Sequence, residues 1–287
     1  MNKINSLQNN EENLKIQCYA RFMYNSAEML NYFIWLLSFI SIILNYAKGT
    51  ISNNVCIIIG STISIGTIFL NKLLTGTINK AAASRKLFDY TVFQLSNDSN
   101  IYNGITKDQI ILEASKKKNR YNDYFTKQMN NTGQSKVKGV KNWYVRIDNS
   151  WNQEKAIKEC QRQNSVFDNY LSKIVMVFTI VVFIIACISF GLAIKRPNNN
   201  FLQVLSLFLP FIIKLIYSGL RLKSYNKYYH QQEVLQREGV FDSIEKKQEY
   251  IDKRRAMEFF VPDKLYRFLS RRIHNDVIES QAQNNDK

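Results

Sequence analysis

From Ile174 to Ile194 the chain carries no charged residue, and much of the run is β-branched. Such a stretch matches the roughly 20 residues an α-helix needs to cross the hydrocarbon of a bilayer. No water is present there to satisfy backbone N–H and C=O groups, so the segment has to be helical. Three further blocks, Leu30 to Ala47, Val55 to Leu74 and Phe201 to Leu220, are nearly as free of charge and of similar length. The connections Lys48 to Asn54 and Lys195 to Asn200 are short, so the four spans pair as two hairpins. Any one block read alone also fits a buried helix of a water-soluble protein, but that reading would have to hold four times over. The expected fold class is an all-α membrane protein, with four transmembrane helices in two hairpins and helical cytoplasmic extensions.

Basic residues close to span ends set orientation. The two turns hold only Lys48, Lys195 and Arg196, whereas the opposite side holds Arg21, Lys72, Lys80, Arg85, Lys86, Lys173, Arg221 and Lys223, among others. Both termini and the central region are therefore expected inside. The chain divides into a cytoplasmic N-terminal helix at 1–29, a hairpin at 30–74, a cytoplasmic helical region at 75–173, a second hairpin at 174–220 and C-terminal helices at 221–287. Met1 to Lys15 is polar and has no basic region followed by an apolar core, so it does not read as a signal peptide. Against 23 acidic residues stand 39 basic ones, a formal charge of +16. In a soluble protein that excess would suggest nucleic acid, and beside apolar blocks it suits an anionic leaflet equally well. With the spans in place, the lipid bilayer is the partner expected, and a DNA or RNA polymer is not.

Between the hairpins, Ala81 to Leu95 continues the second span as a helix, with Phe88, Val92 and Leu95 as its apolar stripe. Thr106-Lys-Asp-Gln109 has the capping-box pattern and predicts a helix reaching roughly Met129. A loop spans Asn130 to Asn152, and Gln153 to Lys173 runs without Pro or Gly into the third span. Past the fourth span the helix continues to Arg237, breaks at Gly239 and restarts near Asp242-Ser-Ile-Glu245. Pro262 opens a last helix with an apolar face of Leu265, Phe268, Leu269 and Ile273.

No Walker loop, Gly-x-Gly-x-x-Gly, Gly-x-Ser-x-Gly or His-Glu-x-x-His occurs. The only histidines are His230 and His274, and Cys18, Cys56, Cys160 and Cys187 lie far apart. No catalytic residue, metal site or bound cofactor is expected. The most unusual local sequence is Lys136-Val-Lys-Gly-Val-Lys-Asn-Trp-Tyr144, where cations surround a Gly and two aromatics. Lysines offer point charges to phosphate and aromatic rings stack on bases, so Lys138, Lys141, Trp143 and Tyr144, with Arg162 on the following helix, are candidate ligand-binding residues. The other reading is a basic loop docked by Trp143 onto the helices, and both stay open here. Gln161, Asn164, Ser165 and Asp168 form a polar face just before the third span, read as an interhelical network or a gate. Ser64, Thr67 and Asn71 share a stripe of the second span, fit for packing or for lining a wet path. Lys214 sits inside the fourth span beside Pro210. It is expected to snorkel toward the cytoplasmic interface, with a pore-lining position as the alternative.

Several of these stretches together resemble a known family, the SMODS-associated four-transmembrane effectors of bacterial CBASS antiphage signalling. Gln8-Asn9, Ala20-Arg21 and Tyr24 resemble its opening helix, and Lys138-Gly-Val-Lys-Asn-Trp-Tyr144 its Lys-Gly-Val-x-x-Trp-Tyr loop. Cys160-Gln-Arg-x-Asn164 with Asp168 resembles its segment before the third span, and Pro262, Tyr266 and Arg271 its closing helix. The chain departs from the family at Val166 and Phe167, where paired tryptophans are common, and at Asn142, which replaces a frequent acid. The resemblance implies an effector in the bacterial inner membrane that binds a cyclic oligonucleotide or dinucleotide made by a cognate nucleotidyltransferase, forms a homo-oligomer and breaches the membrane. A constitutive channel or transporter and a non-conducting scaffold are the alternatives.

The charge asymmetry makes a direct prediction about topology. A periplasm-active reporter fused after Lys287 should be silent, and one inserted at Asn198 should be active. The opposite pattern would invert the orientation.

Overall fold

Among the four long helices only one contains a proline, and the glycines close to where two of them would leave a bilayer, Gly76 and Gly219, do not break them. In the computed structural model, which describes residues 2–44, 46, 52–195, 200–237 and 243–257, these helices accordingly run straight through. Side chains at 165–176, 178 and 229–237 and the Pro262 helix lie outside the described residues. Helix α1 is Ile4–Gln8, α2 Glu11–Leu44 and α3 Asn53–Phe93. A hairpin of β1, Ile101–Tyr102, and β2, Ile105–Thr106, precedes α4 at Lys107–Arg120 and α5 at Asn122–Asn130. Then come α6, Gln153–Ile194, α7, Phe201–Arg237, and α8, Ile244–Arg255. At about 1.5 Å per residue, α3 is roughly 60 Å long, twice the hydrocarbon thickness of a bilayer. Each long helix therefore has an apolar half and a membrane-distal half.

Local sequence explains the starts. Ser52 and Asn152 accept hydrogen bonds from Val55 N and Lys155 N at the N-termini of α3 and α6. The Thr106 box forms with Gln109 N to Thr106 Oγ1 at 3.3 Å and Thr106 N to Gln109 Oε1 at 3.1 Å. The helix it opens stops at Arg120 and does not run unbroken to Met129. Tyr121 leaves helical geometry as its ring packs 5.0 Å from Phe22 of α2, and Phe125 of α5 packs on the same ring. The turn between β1 and β2 is Asn103-Gly104, both at positive φ, a pairing whose left-handed backbone suits a two-residue hairpin.

In the apolar half, α2, α3 and α7 form a tight bundle. Gly60 lies against α7 so closely that a Cβ there would stand 2.6 Å from the Ser206 carbonyl oxygen. Ser64, Thr67 and Asn71 continue the same buried stripe of α3. Ser41 of α2 donates to the Leu207 carbonyl, and Trp35, Phe39 and Phe211 cluster with centroids 5.4–5.8 Å apart. Helix α6 lies outside this bundle. It meets α7 through Phe190 and Ala193 against Val204 and Phe208, while Ile180, Phe183, Ile184 and Ile188 are exposed. With Phe33, Ile58, Phe69 and Leu202 they form the apolar belt that a bilayer would cover.

Lys214 does not snorkel. It is fully buried, with Nζ 2.6 Å from Asn31 Oδ1 and 3.5 Å from Asn71 Oδ1, so two asparagines solvate the amine between α2, α3 and α7. Pointing inward, it finds two amide oxygens at bonding distance within the bundle.

The membrane-distal half holds a conventional core of Tyr19, Leu87, Phe88, Val92, Phe93, Phe125, Tyr144 and Ile157, built from α2, α3, α5, α6 and the 131–152 loop. Replacing Gly60 with Ala should cost about 1–3 kcal/mol by overpacking the α3–α7 contact. Gly66→Ala, where a Cβ meets nothing within 4 Å, should leave detergent-melting temperature unchanged or raised. Equal effects of the two changes would contradict this packing.

Candidate functional site

Three of the distinctive sequence stretches meet on one face of the membrane-distal core. The side-chain amides of Gln8 and Asn9 clamp the 131–152 loop: Tyr144 N donates to Gln8 Oε1 at 2.8 Å, and Gln8 Nε2 donates to Tyr144 O at 3.1 Å. Asn142 N donates to Asn9 Oδ1 at 3.0 Å, and Asn9 Nδ2 returns a bond to Asn142 Oδ1 at 2.7 Å. Asn142 sits at φ 50°, a left-handed conformation that Asn tolerates. Arg21 of α2 donates to the Gly139 carbonyl at 3.0 Å. Gly139 has to be glycine, because a Cβ would collide with the Asn131 backbone.

The clamp delivers Tyr144 into the core, where it is 1% exposed. Its hydroxyl donates to Asp89 Oδ1 at 2.7 Å and accepts from Asn164 Nδ2 at 3.2 Å. Asp89 on α3 is fully buried, and its other oxygen accepts from Gln248 Nε2 at 3.0 Å and from Arg255 of α8 at 2.5 Å. Gln248 also donates to Asp252 Oδ1 at 3.1 Å, and Gln161 of α6 donates to Gln248 Oε1 at 3.2 Å and to the Ile244 carbonyl at 2.9 Å. Arg254 donates to the Asn164 carbonyl at 3.2 Å, and Tyr24 of α2 to the Arg255 carbonyl at 3.3 Å. One polar knot thus ties α2, α3, α6 and the loop to α8.

The electrostatics follow from burial. Burial, with Asp89 adding repulsion, pushes the Asp252 carboxyl up to about 7 despite Arg255 and Lys86 nearby. Burial and Asp89 likewise push the Tyr144 phenol upward. Burial alone would lower Arg255, but Asp89, Tyr144 and Asp252 around it drive it the other way. Arg85, one turn before Asp89 on α3, is 6% exposed, and burial pushes its guanidinium downward, with Arg255 adding to the effect. Its carbon lies 3.8 Å from the Trp143 ring centroid and 5.5 Å from that of Phe88. Among the described residues no acceptor hydrogen-bonds it.

The candidate residues therefore separate. Lys141 and Trp143 are exposed, Lys138 is half-buried, and Tyr144 belongs to the core. Arg162 is held by Glu159 in a two-pronged ion pair at 2.8 and 2.9 Å. Gln161 and Asn164 are knot members, while the side chains of Ser165 and Asp168 lie outside the described residues. Ser64, Thr67, Asn71 and Lys214 are in the apolar bundle, away from the knot. Arg85, Asp89, Gln248, Asp252 and Arg255 had no place among the sequence candidates. The i, i+4 spacing of Arg85 and Asp89 on an otherwise apolar stripe was the one available signal. No group of His, Cys, Asp and Glu able to hold a metal ion occurs among the described residues.

Long apolar helices around one bundle, continued into a second core that a polar knot ties together, define an all-α multi-pass membrane protein. Residues 2–238 match the family described as the SMODS-associating 4TM effector domain. The chain belongs to that family and is a membrane effector. Neither the curated proteins nor the solved structures compared give a match.

The raised Asp252 acidity makes stability pH-dependent. The folded group holds its proton where the unfolded one, near 3.9, has lost it, so its contribution is full below about pH 4. It is lost as pH rises to about 7, by at most about 1.4 kcal/mol per unit. Melting curves of Asp252→Asn between pH 5 and 8 should be flatter than wild type. Parallel slopes would count against this placement.

Proposed function

We propose that this effector serves antiphage defence in the bacterial inner membrane, with both termini cytoplasmic, where a cyclic nucleotide triggers it to oligomerise and permeabilise the bilayer. The observation that carries the reading is the family match over residues 2–238. The geometry supports it in two ways. The loop of Lys138, Lys141 and Trp143 presents cations and a ring beside the knot, suiting a phosphodiester with a base. The knot bonds the distal extensions of the second and third spans to each other, so a ligand that rearranges it would change how the spans pack. The single-chain bundle is closed, with Ser64, Thr67 and Asn71 turned into helix contacts, so a water path would require those contacts to be remade among several copies.

The test is dye release from liposomes holding the purified full chain, with and without a panel of cyclic di- and trinucleotides. One messenger should trigger release together with a shift to larger assemblies. Lys138→Gln with Lys141→Gln should weaken that messenger's binding and flatten its salt dependence without loss of folded protein, since Lys141 is exposed, Lys138 is only half-buried, and surface lysines contribute little stability. Release without nucleotide would instead indicate a constitutive channel, and no release with any of them a scaffold.

A further inference from the structure

A cation taken out of water requires compensation from an opposite charge and hydrogen bonds. Arg255 has this: Asp89 at 2.5 Å and Asp252 at 3.6 Å. Arg85 does not. Two arginines face one fully buried aspartate, whose oxygens are already taken by Tyr144, Gln248 and Arg255. The guanidinium of Arg85 is left against the faces of Trp143 and Phe88. Ring faces attract a cation but accept none of its five directed N–H donors as a carboxylate or phosphate oxygen does. With Arg254 and Arg255 also present and Asp252 disposed to hold a proton, the local balance favours a bound anion.

We infer that Arg85 anchors a site for a phosphate-bearing anion, covered in the present structure by Trp143. The arginine fork matches two phosphate oxygens at once. Trp143 is 37% exposed where Arg85 is 6% exposed, its ring stands 3.8 Å from the guanidinium carbon, and it belongs to the same loop as Lys138 and Lys141. Displaced, the indole would open the way to Arg85 and remain beside it as a stacking surface for a base. The carrier of the phosphate is a water-borne molecule. Along α3, Arg85 lies roughly 16 Å past Leu74 at about 1.5 Å per residue, whereas the headgroup layer extends only about 5–8 Å beyond the hydrocarbon. The identification of that molecule as a cyclic nucleotide rests on the function proposed above; the anion site does not.

The experiment uses the full chain in detergent, with inorganic pyrophosphate as probe, tryptophan fluorescence as the binding signal and thermal melting as the fold control. Wild type should bind pyrophosphate, and Arg85→Met should bind at least tenfold more weakly. Its melting temperature without probe should be unchanged or higher, because an uncompensated buried cation has been removed. A lower melting temperature would make Arg85 a structural cement and overturn the site. So would equal binding by the variant, or no binding by wild type. Short-chain phosphatidylglycerol should fail to compete, and competition would overturn the water-borne assignment. If pyrophosphate binds through Arg85 while no cyclic nucleotide triggers dye release, the anion site stands and the proposed function fails.

Discussion

The ion pair between Asp89 and Arg255 holds the membrane-distal half of this protein in its present arrangement. Asp89 sits on the helix that also provides the second apolar span, and it is fully buried. A carboxylate there is tolerable only if both oxygens are hydrogen-bonded and its charge is paired, since an unpaired buried charge costs several kcal/mol. Tyr144, Gln248 and Arg255 fulfil that requirement from the loop and from α8. Two segments distant in sequence are thereby fixed to one carboxyl group on a third. The neighbouring polar side chains, Gln161, Asn164, Asp252 and Arg254, then take the places that satisfy what remains.

The two halves of the molecule use different physics. In the distal half, water drives burial of Tyr19, Phe88, Phe93 and Phe125, and the polar knot supplies specificity within that core. Between lipid-covered helices that driving force is absent, and close approach has to come from small residues and interhelical hydrogen bonds. Gly60 against Ser206, Ser41 on the Leu207 carbonyl and Lys214 between Asn31 and Asn71 are of this kind. Each long helix runs unbroken from one half into the other, so a rearrangement at the knot is coupled to the bundle through continuous helical backbone. Among the described side chains of α6, Ile180, Phe183, Ile184 and Ile188 lie outside the bundle.

Much of this was legible without coordinates because it depends on local pattern. The spans follow from uncharged runs, the start of α4 from Thr106 and Gln109, the restart of the chain at α8 from Ser243. The broken helix at Tyr121 was not legible, because the deciding contact is with Phe22, far away in sequence. The Asn103-Gly104 hairpin had a readable signal in its dipeptide. For the site, sequence pointed to the loop and to Gln161 and Asn164. It offered no means of knowing that Tyr144 points inward and Trp143 outward.

By itself the sequence determined the all-α membrane architecture and the family, since hydrophobic length and motif spacing are properties of short segments. Only the tertiary structure decided which helices form the bundle, that Lys214 is solvated by asparagines, and that Arg255 rather than Arg85 holds Asp89. Those outcomes depend on which donors and acceptors meet when separate segments are buried together. A buried charge selects its partner from everything within reach in space, and spacing along the chain does not encode that reach.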